Sequence, residues 1–172
     1  IYRALWKKLF QKTSCGAPVL VLRDYHSPNL LWLGEREGPA RAGMLDYQDA
    51  QAGSRAYDLV SLLQDARKDV PEAREEEMLA YYIEKARAGE ADFDETAFRA
   101  AYAVLGAQRN AKIMGIFVRL WRRDGKPGYL AHLPRVSAYL ERDLRHPVLS
   151  EMKAWLDTHV PAALRKEILR AE

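Results

Sequence analysis

From Ala56 to the C-terminus the apolar residues fall almost wholly at spacings of three and four, and no other feature of these 172 residues constrains the fold as much. A pattern of that period commits most of the chain to helices sharing one core. Helices are predicted over residues 55–66, 71–88, 94–122, 134–144, 147–159 and 161–171. Four of them begin near a proline or an acidic residue, as first turns prefer, and Gly125-Lys126-Pro127-Gly128 breaks the pattern clearly.

The preceding residues have a different grain. Leu5, Trp6, Leu9 and Phe10 recur at helical spacing, which predicts a helix over 1–11 stopped by Gly16 and Pro18. Three short apolar runs follow at 19–22, 30–33 and 42–45, the first two predicted as buried strands flanking a polar loop. The expected class is therefore α+β, predominantly helical, with a few short strands in one domain covering residues 1–172.

Composition narrows the function classes. Lys and Arg number 27 against 24 Asp and Glu, a net charge of +3 spread along the chain, so no basic stripe for nucleic acid is expected. No apolar run approaches the ~20 residues that span a bilayer, and no signal-peptide pattern is present, so no membrane partner is expected. The single cysteine, Cys15, makes no internal disulfide, which fits a reducing, cytoplasmic setting.

The chemistry concentrates in Arg23-Asp24-Tyr25-His26-Ser27-Pro28-Asn29, a polar loop held between two strands, the kind of place where catalytic groups sit. The third strand ends in Leu45-Asp46-Tyr47-Gln48-Asp49-Ala50, its first acid 17 residues beyond Asn29. Phosphoryl transfer asks for alignment and for charge neutralisation on phosphate oxygens. One carboxylate must orient and deprotonate the attacking hydroxyl. Hard oxygen donors must hold magnesium, which keeps several waters and needs few protein ligands. Asp24 suits the first role; Asn29 and Asp46 suit the second.

The run from Asp24 to Asn29 resembles the D-x-x-x-x-N loop of kinases, and His26 gives it the D-x-H-x-x-N form of the aminoglycoside phosphotransferase and choline kinase family. Asp46 stands where these enzymes carry their metal-binding Asp. The segment 45–50 with Arg55-Ala56-Tyr57-Asp58-Leu59 resembles that family's "I-D-W/F-x-x-A … P-A-Y-D-L" block. Further along, Gln108-Arg109-Asn110-Ala111-Lys112-Ile113, Arg123-Asp124-Gly125-Lys126 and Leu133-Pro134-Arg135-Val136 are similar to a bacterial subgroup of anomeric sugar kinases. That subgroup acts on N-acetylmuramate and N-acetylglucosamine in cell-wall recycling.

The resemblance implies a protein-kinase-like C-terminal lobe, with ATP as co-substrate, Mg2+ as cofactor and a small-molecule acceptor, an amino sugar first. The other acceptors in view are an aminoglycoside or choline, and a noncatalytic kinase-like binding module is the reading from another class. It also implies that Asp58 supports the catalytic loop from the start of the next helix. The Gly-rich loop and strand lysine of such enzymes do not occur in these residues, so a nucleotide-covering lobe is expected N-terminal to Ile1, and the chain alone is expected to be inactive. Leu22 stands where the family usually has a loop-bracing His, so another group must satisfy the backbone there, Arg23 being one candidate.

Each of these residues also has a plainer role. Asp24 and Asn29 could bond their own turn, Asp49 is expected to close the turn after the third strand, with substrate contact as the alternative, and Asp58 could cap a helix. His26 is expected to brace the loop through a backbone carbonyl, with a place beside phosphate or metal as the alternative, and Arg23 to pair with a nearby carboxylate. Arg109 and Lys112 interrupt an apolar stripe; they are expected to pair with internal carboxylates, with substrate contact as the alternative.

Overall fold

The computed structural model describes residues 1–167. In chain order the elements are α1 (Tyr2–Phe10), β1 (Val19–Val21), β2 (Leu30–Trp32), β3 (Ala42–Met44), β4 (Gln51–Gly53), α2 (Ala56–Leu63), α3 (Glu72–Gly89), α4 (Glu95–Asp124), α5 (Leu133–Asp143), α6 (Ser150–His159) and α7 (Ala162–Glu167). The molecule is mostly helical with a few short strands, as the periodicity requires. Residues 168–171 of the last predicted helix lie outside the described residues.

Local chemistry sets the ends of the longest helix. The Asp94 carboxylate caps α4 by accepting the Ala97 N–H at 2.9 Å. At the other end Gly125 adopts a left-handed conformation (φ 63°), and its N–H bonds the Trp121 carbonyl at 3.1 Å. Between these caps α4 serves as the axle of the core. Phe98, Ala101, Tyr102 and Leu105 pack with Val60 and Leu63 of α2 and with Leu79 and Ile83 of α3. Ala103, Val104 and Ala107 meet Leu9 of α1, Leu140 of α5 and Met152 of α6, and Phe117 meets Val136.

The predicted helix 55–66 ends early, at Leu63. Gln64 leaves helical geometry (φ −120°, ψ 48°), and the buried side chains of Gln64 and Asp65 turn to partners far away in sequence. Proline at 147 opens a 3-10 turn (Pro147–Leu149) and α6 begins only at Ser150.

The strands form two antiparallel pairs, β1 with β4 and β2 with β3. The fourth strand was not expected, because Gln51-Ala52-Gly53 carries no β-branched residue; pairing with β1 creates it, Val19 opposite Gly53 and Val21 opposite Gln51. The expectation that the first two strands are buried is corrected. Val21 is buried, but Leu20 is 71% and Trp32 74% exposed, since among the described residues nothing covers the outer face of either ribbon.

One consequence of this pairing positions the site. The β2–β3 hairpin is nested inside the β1–β4 pair, so the connection leaving β1 and the connection entering β4 are brought opposite one another. These are the two loops that carry Asp24 to Asn29 and Asp46 to Ala50.

Candidate active site

Asp24, Asn29 and Asp46 are brought together. The Asn29 carboxamide donates to the Asp24 carbonyl at 2.9 Å and lies 3.5 Å from Asp46 Oδ2. Asn29 also accepts, through its backbone carbonyl, the Leu45 N–H at 2.9 Å, which ties the two loops directly. Gln48 donates to the other oxygen of Asp46. The Asp24 carboxylate is exposed and makes no side-chain hydrogen bond among the described residues, so the plain self-bonded turn does not occupy it.

Outside glycine, positive φ occurs among the described residues at Arg23 (70°) and Asp46 (57°). Left-handed backbone costs a residue with a Cβ about 1–2 kcal/mol, less for Asp. Both positions flank the meeting point of the loops, where backbone strain of this kind is often functional.

Asp58 lies in the first turn of α2 without capping it. Its two carboxylate oxygens accept the backbone N–H groups of Leu22 (2.7 Å) and Arg23 (3.0 Å). The group that satisfies the backbone beside Leu22 is therefore Asp58, and the Arg23 side chain holds no carboxylate among the described residues. Burial pushes the Asp58 carboxyl above its usual range, against the two N–H bonds that pull it down.

A second acid, which sequence reasoning missed, braces the far side of the loop. Asp65 is 2% exposed and accepts the N–H of Ser27 at 3.2 Å and of Arg67 at 2.8 Å. Its signal was a carboxylate just past the C-terminal end of α2, where the helix dipole disfavours negative charge and only another duty keeps one.

These loops form one wall of a cleft of about 200 Å³, with Asp24, His26, Tyr57, Arg67, Arg109 and Lys112 among its lining residues. His26 Nδ1 is buried with no partner among the described residues, so this nitrogen does not make the expected bond to a backbone carbonyl. Burial, and after it the nearby Arg67, holds the imidazole below its usual pKa and so favours the neutral ring. Arg109 is 7% exposed and donates to the Ser61 hydroxyl at 2.7 Å, while the Lys112 ammonium lies 3.5 Å from the Tyr57 hydroxyl. Neither cation makes the expected ion pair with a carboxylate among the described residues. Asp49 sits in the exposed turn before β4, which is closed by the Ala50 N–H on the Tyr47 carbonyl at 3.1 Å. Its carboxylate neither makes that turn nor lines the cleft.

The donor set suits magnesium. Both bonds from the Asn29 amide leave through its nitrogen, so the carboxamide oxygen is left for a cation, with the Asp46 carboxylate beside it. No group of three or more His, Cys, Asp or Glu side chains gathers as a metal cage among the described residues. An ion held by one carboxylate and one carboxamide completes its shell with water and phosphate, as magnesium does.

Comparison with known proteins supplies the class to which this fold belongs. The model of the phosphotransferase enzyme family matches residues 1–102, and the chain belongs to that family. It is similar to the N-acetylmuramate/N-acetylglucosamine kinase of Caulobacter vibrioides, 45% identical over 165 residues that make up 96% of this chain and 44% of that protein. The kinase of the same description from Pseudomonas putida is 38% identical over 87% of this chain and 45% of its own length. The one from Neisseria meningitidis serogroup B is 40% identical over 81% and 42%. The chain thus spans a little under half the length of the curated relatives it matches.

Proposed function

We propose that this chain is the C-terminal, catalytic and substrate-binding lobe of an ATP-dependent kinase that phosphorylates a small-molecule hydroxyl, the anomeric hydroxyl of an N-acetylated amino sugar. The observation that carries the reading is the convergence of Asp24, Asn29 and Asp46 on the facing loops of the nested ribbons. In this reading Asp24 orients the sugar hydroxyl and takes its proton as the oxygen attacks the terminal phosphorus of the nucleotide, whose bond to the bridging oxygen breaks to release the nucleoside diphosphate. Asn29 and Asp46 hold the magnesium ion, which when bound neutralises charge on the nucleotide phosphates. Asp58 and Asp65 fix the loop by its backbone, so that the Asp24 carboxylate stays free.

Three lines support the finer parts. The relatives' names point to N-acetylmuramate and N-acetylglucosamine as acceptors. A cleft carrying Arg67, Arg109 and Lys112 is a poor host for a cationic aminoglycoside or choline. Exposed Leu20, Leu31 and Trp32 on the strand ribbons fit a nucleotide-covering lobe placed N-terminal to this chain. The cytoplasm is the compartment where ATP is at hand, and no described helix is long and apolar enough to cross a membrane.

The test is Asp24→Asn in the full-length protein. Loss of a general base costs about 10²–10⁴-fold in turnover, and kcat should fall by at least that range's lower end while magnesium–nucleotide binding persists. Near-normal kcat in that variant removes Asp24 from the chemistry and favours a noncatalytic ligand-binding module.

A further inference from the structure

The cleft beside Asp24 holds a buried cation that the fold does not neutralise. Elsewhere the half-buried and buried arginines keep carboxylate partners: Arg55 with Glu90, Arg142 with Glu75, Arg165 with Glu141 and Asp157. Arg109 is 7% exposed, yet among the described residues it donates to a serine hydroxyl and its Nε is buried with no partner. A guanidinium withdrawn from water without a carboxylate is costly. Burial accordingly lowers its pKa, and the acids within electrostatic reach, Asp24, Asp65 and Asp58, are committed, the first to the acceptor hydroxyl and the other two to loop N–H groups.

Two more cations stand on the same wall. Lys112, one helical turn along α4, meets a tyrosine hydroxyl and, among the described residues, pairs with no carboxylate. Arg67 enters from the connection after α2; its backbone N–H is held by Asp65, and its side chain, on the cleft, makes no ion pair among the described residues. The wall therefore presents excess positive charge on the acceptor side of the catalytic loop, with an apolar floor of Ile113, Ile116 and Phe117 that weakens solvent screening.

We propose that Arg67 and Lys112, with Arg109 behind them, bind a carboxylate on the acceptor sugar and make this enzyme prefer an acidic amino sugar to its neutral counterpart. This rests on the amino-sugar kinase reading and assigns the residues that discriminate within it. N-acetylmuramate and N-acetylglucosamine share the ring and the anomeric hydroxyl. They differ by a lactyl ether whose carboxylate is the only charge on either sugar, so the pair isolates the contact. The cations are positioning and specificity groups; no bond is made or broken at them.

The experiment measures kcat/KM of the full-length enzyme for N-acetylmuramate, its neutral methyl ester and N-acetylglucosamine, in Arg67→Gln and Lys112→Gln. Both sites are exposed, so folding is expected to survive. A charge-assisted hydrogen bond is worth about 10- to 100-fold in binding. The ratio of N-acetylmuramate to N-acetylglucosamine efficiency should fall by that factor in each variant, through KM more than kcat, with the methyl ester following N-acetylglucosamine. Turnover of both sugars with an unchanged ratio, or a parallel loss that also raises KM for ATP, overturns the assignment and gives these cations to the nucleotide phosphates. No turnover of either sugar by the unsubstituted enzyme overturns the amino-sugar reading itself, and this proposal with it.

Discussion

Asp58 shows how a single side chain far off in sequence decides the shape of a loop. Its two oxygens take the N–H groups of residues 36 and 35 positions earlier, and Arg23 is held at positive φ directly beside Asp24. Asp58→Ala leaves both donors without that acceptor; Leu22 is half-buried and Arg23 exposed, so the expected cost is about 1–3 kcal/mol for the pair. Equilibrium urea unfolding should show a loss in that range, and kcat of the full-length enzyme should fall with it; an unchanged stability would mean that water replaces the carboxylate. At this scale the grouping of Asp24, Asn29 and Asp46 was legible because they lie in short runs with fixed spacing. Asp65 and Arg67 were not, since their roles depend on where the end of α2 comes to rest. Arg109 and Lys112 were visible as cations on an apolar stripe, but neither makes the expected ion pair with a carboxylate among the described residues.

At the scale of elements, the pairing of strands places the two loops, and β4 is the piece the sequence concealed. It depends on Gly53, where a Cβ would stand 3.0 Å from Val21 Cγ2. A valine there must push β4 away from β1 or drive the Val21 side chain into its neighbours, costing about 1–3 kcal/mol. Because the loop of Asp46 leads straight into β4, Gly53→Val should lower kcat as well as stability. Gly125→Ala provides the control. It forces a residue with a Cβ into the left-handed cap of α4 (φ 63°), at a cost of about 1–2 kcal/mol, without touching either site loop. Thermal melts and steady-state kinetics on both variants test the difference: equal activity losses at equal destabilisation would deny the ribbon any special part in positioning Asp46. The helices were legible to within a few residues because apolar periodicity and caps are local. The ribbon was not, because Gln51-Ala52-Gly53 becomes a strand only when β1 is beside it.

The whole molecule is joined through a polar knot that no periodicity could announce. Gln64 after α2 donates to Glu75 of α3 (2.9 Å) and to Asp143 of α5 (2.8 Å), Asn110 of α4 donates to Asp143 (3.0 Å) and Gln64 (2.6 Å), and Tyr102 donates to Glu75 (2.7 Å). Gln64 and Asp143 are 79 residues apart, so sequence offered only a glutamine and an aspartate at the ends of two helices. Gly106 leaves room for the knot, since a Cβ there would stand 2.7 Å from the Asp143 carboxylate. Burial pushes the Asp143 carboxyl well above the usual range, outweighing its amide donors, with neighbouring Glu75 pushing the same way and Arg142 opposing. A carboxyl raised in the folded state keeps its proton where the unfolded chain, with a pKa of about 3.9, has released it. The folded state then binds more protons, and this group's contribution to stability falls as pH rises from about 4 toward the folded pKa, by at most about 1.4 kcal/mol per pH unit. Burial lowers the pKa of His26, His132 and His146, which act in the opposite sense as pH rises toward 6.5. Comparison with Asp143→Asn cancels the histidine part. Urea unfolding at increasing pH from 5 upward should show the advantage of the unsubstituted protein over the variant shrinking as pH rises toward the folded pKa, and an advantage that stays constant or grows from pH 5 would mean that Asp143 is ionised in the fold and that Arg142 governs the knot.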